Sequence, residues 1–281
     1  MIYFNKKAIS IHIFHWLTEC TLNESEVINM NLTNYLHRIQ AVKQDERNLA
    51  YLSHLQKQHV LNIHFENLDI LNKKPLSLSR DCLYKKIILN QHGGVCYELN
   101  GLFYHLLKEL GFTPSLMAGT VYGGNGAWAL ENGHLFIIVP LENKEYLVDV
   151  GFGGNCPRLP IPLSGDEVRD SDGMYRVKKD KTLSLFYLQK KTDSEWETQY
   201  RFETPSNRWN LDNIYPLCVL TETSPESKFN KMYFLSRVTE EGRITLLGNT
   251  LIIVKGKEKT KVTLEEYEIS EAVQRYFQLK L

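Results

Sequence analysis

The chain has 281 residues, its 33 Lys+Arg are balanced by 33 Asp+Glu, and 43% of its residues are hydrophobic. This composition is typical of a soluble globular protein, and a formal charge of zero argues against nucleic-acid binding, which usually requires a basic excess. No apolar run reaches the ~20 residues that a membrane-spanning helix needs, so neither nucleic acid nor membrane is predicted as a partner.

The cysteines are odd in number, widely spaced and contain no C-x-x-C motif. This pattern indicates neither a zinc cage nor a disulfide framework, and it favours a reducing compartment, here predicted to be the cytoplasm. The histidines of the first sixty residues have no acidic or cysteine company at ligand spacing. We therefore predict no metal site.

Helical periodicity dominates the first third of the chain. Apolar residues recur at helical spacing from Leu32 to Ile39 and again from Leu49 to Val60. The best-marked helix follows Gly93-Gly94, where the apolar positions from Leu99 to Leu110 fall at i, i+3, i+4, i+7, i+8 and i+11. Gly111 supplies its C-terminal stop, and Cys96 lies in its first turn.

After Gly111 the pattern changes to that of an antiparallel sheet, so the fold class is predicted to be α+β. Strands are predicted near residues 115–122, 135–139, 145–150, 182–189 and 199–203. Beyond Pro205 we predict a short helix at 225–232, strands at 243–247 and 250–254, and a helical tail at 264–277.

Cys96 is a candidate nucleophile because of its place at a helix start. The unpaired N–H groups and the positive end of the helix dipole both favour a thiolate over a thiol. The two preceding glycines let another molecule approach closely. A buried structural cysteine is the alternative reading of this position.

A base and an orienting carboxylate are predicted on one hairpin. His134 opens one strand, Asp149 closes the next, and a two-residue loop at Glu142-Asn143 would place Leu141 opposite Lys144. In that register His134 lies diagonal to Asp149 on one face of the sheet, at a distance that their side chains can bridge. A charged Asp inside an apolar strand also needs a partner, and His134 is the nearest one.

These residues resemble the motifs of the arylamine N-acetyltransferase family. The resemblance rests on Gly93–Phe103, on His134, and on Asp149-Val150-Gly151-Phe152-Gly153-Gly154. Phe65-Glu66-Asn67-Leu68-Asp69 and Gly242-Arg243-Ile244-Thr245-Leu246 resemble two further motifs, in family order. The resemblance implies acetyl transfer from acetyl-CoA to an arylamine, arylhydrazine or N-hydroxyarylamine by a ping-pong mechanism.

The resemblance also implies a fold and its domain boundaries. A helical bundle over residues 30–111 would carry the nucleophile, an antiparallel β-barrel over 112–204 would carry His and Asp, and an α/β lid would follow over 205–281. The catalytic core would be cysteine-protease-like or transglutaminase-like. Residues 1–29 have no counterpart in the family and are interpreted as a flexible arm or an upstream start. A monomer or a homodimer is expected.

Matched residue by residue, Cys96 would be the nucleophile, His134 its base and Asp149 the orienting carboxylate. The glycine-rich loop, Gly151, Phe152, Gly153 and Gly154, would lie beside acetyl-CoA. Phe65, Val95 and Phe152 would line the acceptor pocket.

The chain departs from the family at His92, where an Arg is usual. We expect His92 to make a weaker, pH-dependent version of the contact that this Arg would make with Glu66.

Other functions are compatible with the same three residues. A Cys-His-Asp triad serves a cysteine hydrolase, a transglutaminase-like enzyme or an acyltransferase that forms amides or macrolactams equally well. A non-enzymatic binding module that retains the three residues for structure is also open, and selective reaction of Cys96 with iodoacetamide near neutral pH would argue against it.

Overall fold

Helices fill the first third of the chain in the computed structural model, which describes residues 30–124, 126–192, 194–203 and 209–281. The N-terminal extension predicted over residues 1–29 lies outside the described residues. The helices of this part are α1 (Leu32–Arg38), α2 (Leu49–Asn62), α3 (Leu68–Leu71), α4 (Arg80–Tyr84, continued by a π-helical turn over Lys85–Leu89) and α5 (Cys96–Glu109).

Helix α5 is the centre of the helical part, and its start at Cys96 confirms the prediction. Its apolar positions are fully buried, and each such leucine stabilises the fold by roughly 1.5–3 kcal/mol. The helix stops at Gly111, whose φ of +83° is in the left-handed region that glycine adopts without strain. Because the inward face is continuous from the first turn, Cys96 is held on the core side of the helix.

The middle of the chain forms an eight-stranded antiparallel sheet that curls into a nearly closed barrel. Its order is β4-β3-β2-β1-β8-β7-β6-β5. The strands are β1 (Ser115–Val121), β2 (His134–Leu141), β3 (Lys144–Val148), β4 (Ile161–Pro162), β5 (Val168–Asp170), β6 (Gly173–Asp180), β7 (Leu185–Thr192) and β8 (Glu195–Glu203).

The β2–β3 hairpin has the predicted register. Leu141 pairs with Lys144, and the loop residues Glu142 and Asn143 have φ of 51° and 61°, as a type I′ turn requires. The even loop length keeps the residues at the two far ends of the hairpin on one face of the sheet. This register therefore carries the first strand residue of β2, His134, towards the end of β3.

The third part of the chain begins with helix α6 (Leu211–Thr223), which the sequence did not predict. The helix contains Pro216, whose missing N–H and fixed ring usually argue against a helix interior. The helix predicted at 225–232 is wrong, because this segment forms turns. Ser224 precedes Pro225 and takes an extended conformation, which ends α6 just before the predicted segment.

A four-stranded antiparallel sheet follows, with the strands in sequence order. It consists of β9 (Phe234–Thr239), β10 (Gly242–Leu247), β11 (Thr250–Lys255) and β12 (Glu258–Thr263). Helix α7 (Glu266–Ala272), continued by a π-helical turn over Val273–Phe277, packs on this sheet and shares an apolar core with it.

The helical part and the four-stranded sheet are joined beside the start of α5. Phe65 and Ser236 exchange two backbone hydrogen bonds, of 3.0 and 2.9 Å, and the Glu66 N–H donates to the Gly94 carbonyl at 3.0 Å. The segment around Phe65 therefore lies between β9 and the glycine pair that precedes Cys96. Within the described residues, no helix is both long and apolar enough to cross a membrane.

Candidate active site

Cys96 is the first residue of α5 and is 8% exposed. Val95 precedes it in an extended conformation, and the Val95 N–H donates to Glu98 Oε2 at 3.0 Å, which fixes the first turn. The N–H groups at such a helix start have no partner within the helix. The Cys96 sulfur is consequently beside donors that can stabilise a negative charge.

His134 and Asp149 form a buried pair next to this cysteine. The His134 Nε2 atom lies 2.7 Å from Asp149 Oδ2, and both side chains are almost fully buried. The Cys96 side chain is close enough to this imidazole to raise its pKa. Because Nε2 is occupied by the carboxylate, Nδ1 is the ring nitrogen left for the thiol. The geometry thus brings the three residues singled out in the sequence into one chain of contacts.

Four donors surround the Asp149 carboxylate. Its Oδ1 accepts from Asn100 Nδ2 at 3.0 Å and from the Gly151 N–H at 2.9 Å. Its Oδ2 accepts from the Tyr200 hydroxyl at 3.0 Å, in addition to facing His134. A buried carboxylate with all its acceptor sites used is fixed in its charged form and in its orientation.

Each member of the His134–Asp149 pair stabilises the charged form of the other. Burial by itself would lower the pKa of His134, but the charge of Asp149 and the hydrogen bonds to Asp149 and Cys96 raise it to about 10. Burial would raise the pKa of Asp149, yet His134, Asn100 and the Gly151 N–H hold it below its usual range. At neutral pH the site therefore holds an imidazolium between a carboxylate and the cysteine.

Asn100 is a central residue of the site that was not predicted from the sequence. It lies one turn after Cys96, donates to the Leu135 carbonyl at 2.8 Å as well as to Asp149, and accepts from the Val150 N–H at 3.0 Å. One amide thus joins the nucleophile's helix to both strands of the hairpin. The available signal was an Asn at i+4 from Cys96, on the buried face of an apolar helix.

Two other polar residues, both distant in the sequence, form hydrogen bonds at the end of β3. Tyr200, on β8, donates to Asp149, and Gln56, on α2, donates to the Asp149 carbonyl at 3.3 Å and to the Pro157 carbonyl at 2.9 Å. Neither residue is near Asp149 in the sequence, so no local pattern could have indicated them.

Gly151 allows the hairpin and α5 to meet. A Cβ atom at this position would lie 2.8 Å from the Cys96 Cα atom and 2.7 Å from Asn100 Nδ2, distances that a real side chain does not tolerate. The Gly151 N–H also donates locally to the Asp149 carboxylate, two residues earlier. The structure therefore supplies a packing reason for this glycine that is independent of any ligand.

The rest of the glycine-rich loop is open on one side. Gly153 begins a short 3-10 helix (Gly153–Asn155), with a φ of +59° and the Phe234 ring close by. A Cβ at Gly154 would have no neighbour within 4 Å. Phe152 packs edge-on against His134, with the ring centroids 5.0 Å apart.

Three aromatic rings form a cluster around Phe65, near the glycine pair that precedes Cys96. The Phe65 ring lies 4.9 Å from Phe234 and 6.1 Å from Phe229, and these last two rings are stacked. Val95 is buried against the same core as Phe65. Phe229 and Phe234 belong to the third part of the chain and were not predicted.

The prediction that His92 contacts Glu66 is wrong. The cation beside Glu66 is Lys86, at 4.0 Å, and this lysine also lies 2.7 Å from both Asp69 and Glu98. Lys86 comes from the π-helical turn after α4, so it reaches the first turn of α5 and the Glu66–Asp69 segment together. The substitution at position 92 therefore leaves this anchor in place.

Comparison with known proteins gives consistent matches. The sequence pattern of the N-acetyltransferase family matches residues 48–281. The arylamine N-acetyltransferase of Mycolicibacterium smegmatis is 32% identical over 241 residues, which are 80% of this chain and 82% of that protein.

Two solved structures share the fold over most of its length. A Bacillus cereus arylamine N-acetyltransferase, described as having a unique Cys-His-Glu catalytic triad, matches with a TM-score of 0.81 and 29% identity, covering 89% of this chain and 98% of its own. The Mycobacterium marinum arylamine N-acetyltransferase in complex with CoA matches with a TM-score of 0.80 and 29% identity, covering 88% and 92%.

Proposed function

The chain belongs to the arylamine N-acetyltransferase family, and from this membership we propose that Cys96, His134 and Asp149 transfer an acetyl group from acetyl-CoA to an aromatic amine or hydrazine. The observation that carries the proposal is the 2.7 Å contact between His134 Nε2 and Asp149 Oδ2, beside Cys96 at the start of α5. The Bacillus cereus relative is described with a Glu as the third member, and here Asp149 supplies the carboxylate.

In the first half-reaction Cys96 takes the acetyl group. Its thiolate, paired with the His134 imidazolium, attacks the thioester carbonyl of acetyl-CoA. The developing oxyanion is stabilised by the backbone N–H of Cys96, because donors at the helix start point towards it. The carbon–sulfur bond to CoA then breaks, and His134 gives its proton to the CoA sulfur, which leaves as the thiol.

In the second half-reaction the amine takes the acetyl group from acetyl-Cys96. The thiolate no longer holds a proton on His134, so its imidazole is freer to act as a base. The amine nitrogen attacks the acetyl carbonyl, its proton passes to His134, and the bond to the Cys96 sulfur breaks. The ion pair is thereby restored, and Asp149 keeps the ring oriented through both halves.

The acceptor is proposed to lie against aromatic rings. Phe152 beside His134, and Phe65 beside Phe229 and Phe234, provide flat apolar faces that suit an aryl group. Val95, next to the nucleophile, completes this set. This environment favours an arylamine, arylhydrazine or N-hydroxyarylamine over the charged lysine side chain that a transglutaminase-like enzyme would use.

The glycine-rich loop is proposed to border the acyl donor. Gly151 keeps the loop against Cys96, whereas the space around Gly154 leaves room for the thioester arm of acetyl-CoA. Phe152 and Gly153 connect the two positions.

One chain supplies the complete triad, so a monomer is sufficient for the reaction, and a homodimer is compatible with it. Because Cys96 must stay a free thiol, the proposal places the enzyme in a reducing compartment such as the cytoplasm.

Initial-rate kinetics test this function directly. With acetyl-CoA varied at several fixed concentrations of a substituted aniline or a phenylhydrazine, we expect the parallel double-reciprocal lines of a ping-pong mechanism. CoA release should be slow without an acceptor. Rapid CoA release that no amine accelerates would instead support the hydrolase alternative. Intersecting lines would contradict an acetyl-enzyme intermediate.

A further inference from the structure

A cavity of about 720 Å³ lies away from Cys96, where the helical part meets the third part of the chain. Its walls come from the ends of α1 and α2, the segment before Gly93, strand β9 and the segment after α7. Its lining includes five basic side chains and no Asp or Glu. These basic residues are Arg38, His64, His92, Arg237 and Lys280.

The two arginines are incompletely paired. Arg38 donates through its two Nη atoms to the Asn62 and Gln91 carbonyls, the second at 3.5 Å, and Arg237 donates through Nη1 to the Tyr276 carbonyl at 3.0 Å. The Nε atom of each is buried without a hydrogen-bond partner. Among the described residues, neither guanidinium has a carboxylate within ion-pair distance.

His64 lies between these charges. Its Nε2 is also buried without a partner, and burial together with the charges of Arg237 and Arg38 lowers its pKa to about 3. Both arginines therefore act on the same ring, which is neutral at physiological pH. A neutral imidazole can still donate one hydrogen bond.

This grouping of positive charges and unpaired donors costs folding free energy by itself. Like charges in a partly buried site repel each other, and buried donors without acceptors cost free energy. A single bound anion would offset the repulsion between these charges. A phosphate group suits it better than a carboxylate, because its tetrahedral oxygens can accept from donors that come from different directions.

We propose that this cavity is a binding site for a small phosphate compound, separate from the thioester site, in which Arg38 and Arg237 bind the phosphate and His64 forms part of the wall. The cavity exceeds the size of inorganic phosphate, and apolar side chains such as Leu89 and Phe277 also line it. The phosphate compound is therefore expected to carry an organic group.

Occupancy would connect two parts of the molecule. Arg38 ends helix α1 of the helical part, whereas Arg237 lies on β9 of the four-stranded sheet. The cavity wall at His92 continues through Gly93, Gly94 and Val95 to the nucleophile. A bound phosphate would hold these parts together and stabilise the segment that leads to Cys96.

Isothermal titration calorimetry with inorganic pyrophosphate tests the proposal on the full chain. We expect saturable binding of one pyrophosphate per chain, weakened at least tenfold in Arg38→Gln and in Arg237→Gln. Arg169→Gln is the matched control, because Arg169 is an exposed arginine outside the cavity. This control should bind pyrophosphate like the wild type. If one cavity variant fails to fold, the other variant still tests the proposal, since each removes one of the two arginines that would bind the phosphate.

Two further arms locate the site and define its ligand. Saturating CoA should leave pyrophosphate binding intact, whereas competition would mean that the cavity is part of the donor site. Citrate should bind at least tenfold more weakly than pyrophosphate, and equal binding would contradict the assignment to phosphate. No saturable binding, or equal weakening in Arg169→Gln, would overturn the proposal.

Discussion

Asn100 joins the helix of the nucleophile to the hairpin that carries His134 and Asp149, so its replacement tests how the site is held together. Asn100→Leu keeps a similar volume and removes the hydrogen bonds to Asp149, to the Leu135 carbonyl and from the Val150 N–H. The backbone of α5 should be unaffected, because leucine is a good helix former.

The cost follows from what this substitution leaves unpaired. The Val150 N–H is buried, and an unsatisfied buried donor costs about 1–3 kcal/mol. The bond to the charged Asp149 is worth about 1.5–3 kcal/mol. We therefore expect Asn100→Leu to lose about 2.5–6 kcal/mol of unfolding free energy. The lost donor should also raise the pKa of Asp149 relative to the wild type.

Two assays measure these effects. Urea unfolding gives the change in free energy, and the rate of Cys96 alkylation by iodoacetamide at pH 7 reports on the ion pair, with a decrease on the order of tenfold expected. Asn72→Leu is the matched control, because Asn72 is exposed and its change should stay within about 0.5 kcal/mol. An Asn100→Leu variant with wild-type stability and alkylation would refute this reasoning.

Further predictions concern the glycine-rich loop and the titration of the imidazole. Gly151→Ala should cost about 1–3 kcal/mol in urea unfolding, because its Cβ meets backbone, whereas Gly154→Ala should leave stability unchanged. Equal effects of the two changes would contradict the packing argument. In NMR titrations the pKa of His134 should lie well above 6.5 in the wild type and below it in Asp149→Asn, since burial then acts with less opposition. An unchanged midpoint in Asp149→Asn would show that the carboxylate is not its cause.

The same titration predicts how stability depends on pH. The Cys96→Ala variant lacks the thiol, so His134 is the member of the thiolate–imidazolium pair that can still titrate. Its raised pKa in the folded state stabilises the protein fully below the unfolded pKa of about 6.5, and this contribution is lost as the pH rises through the folded value. The unfolding free energy of Cys96→Ala should therefore fall between pH 7 and pH 8, by up to about 1.4 kcal/mol per unit, below the range in which Lys190, whose pKa is lowered to about 8, acts in the opposite direction. A curve that is flat or rises there would contradict the raised pKa.

Features determined by local sequence were predictable. Helix α5 follows from one apolar stripe and its glycine stop, so the position of Cys96 at its start could be predicted. The hairpin register follows from an even two-residue loop, which the φ angles of Glu142 and Asn143 satisfy. The hairpin register alone brings His134 and Asp149 together.

Features that depend on distant contacts were not predictable. Tyr200 and Gln56 are 51 and 93 residues from Asp149, and no periodicity links them. Helix α6 contains Pro216, which by itself argues against a helix, and tertiary packing overrides that preference. Lys86 replaced His92 as the partner of Glu66 because a π-helical turn brings it within reach. The domain boundaries at 111 and 204 stay predictions.

The central claim is that Cys96 carries the acetyl group, and intact-mass spectrometry after mixing with acetyl-CoA tests it most directly. We predict a single acetyl adduct on the wild-type protein, none on folded Cys96→Ala, and loss of the adduct when an arylamine is added. An adduct that persists in Cys96→Ala, or a folded wild-type protein that forms none, would contradict the account.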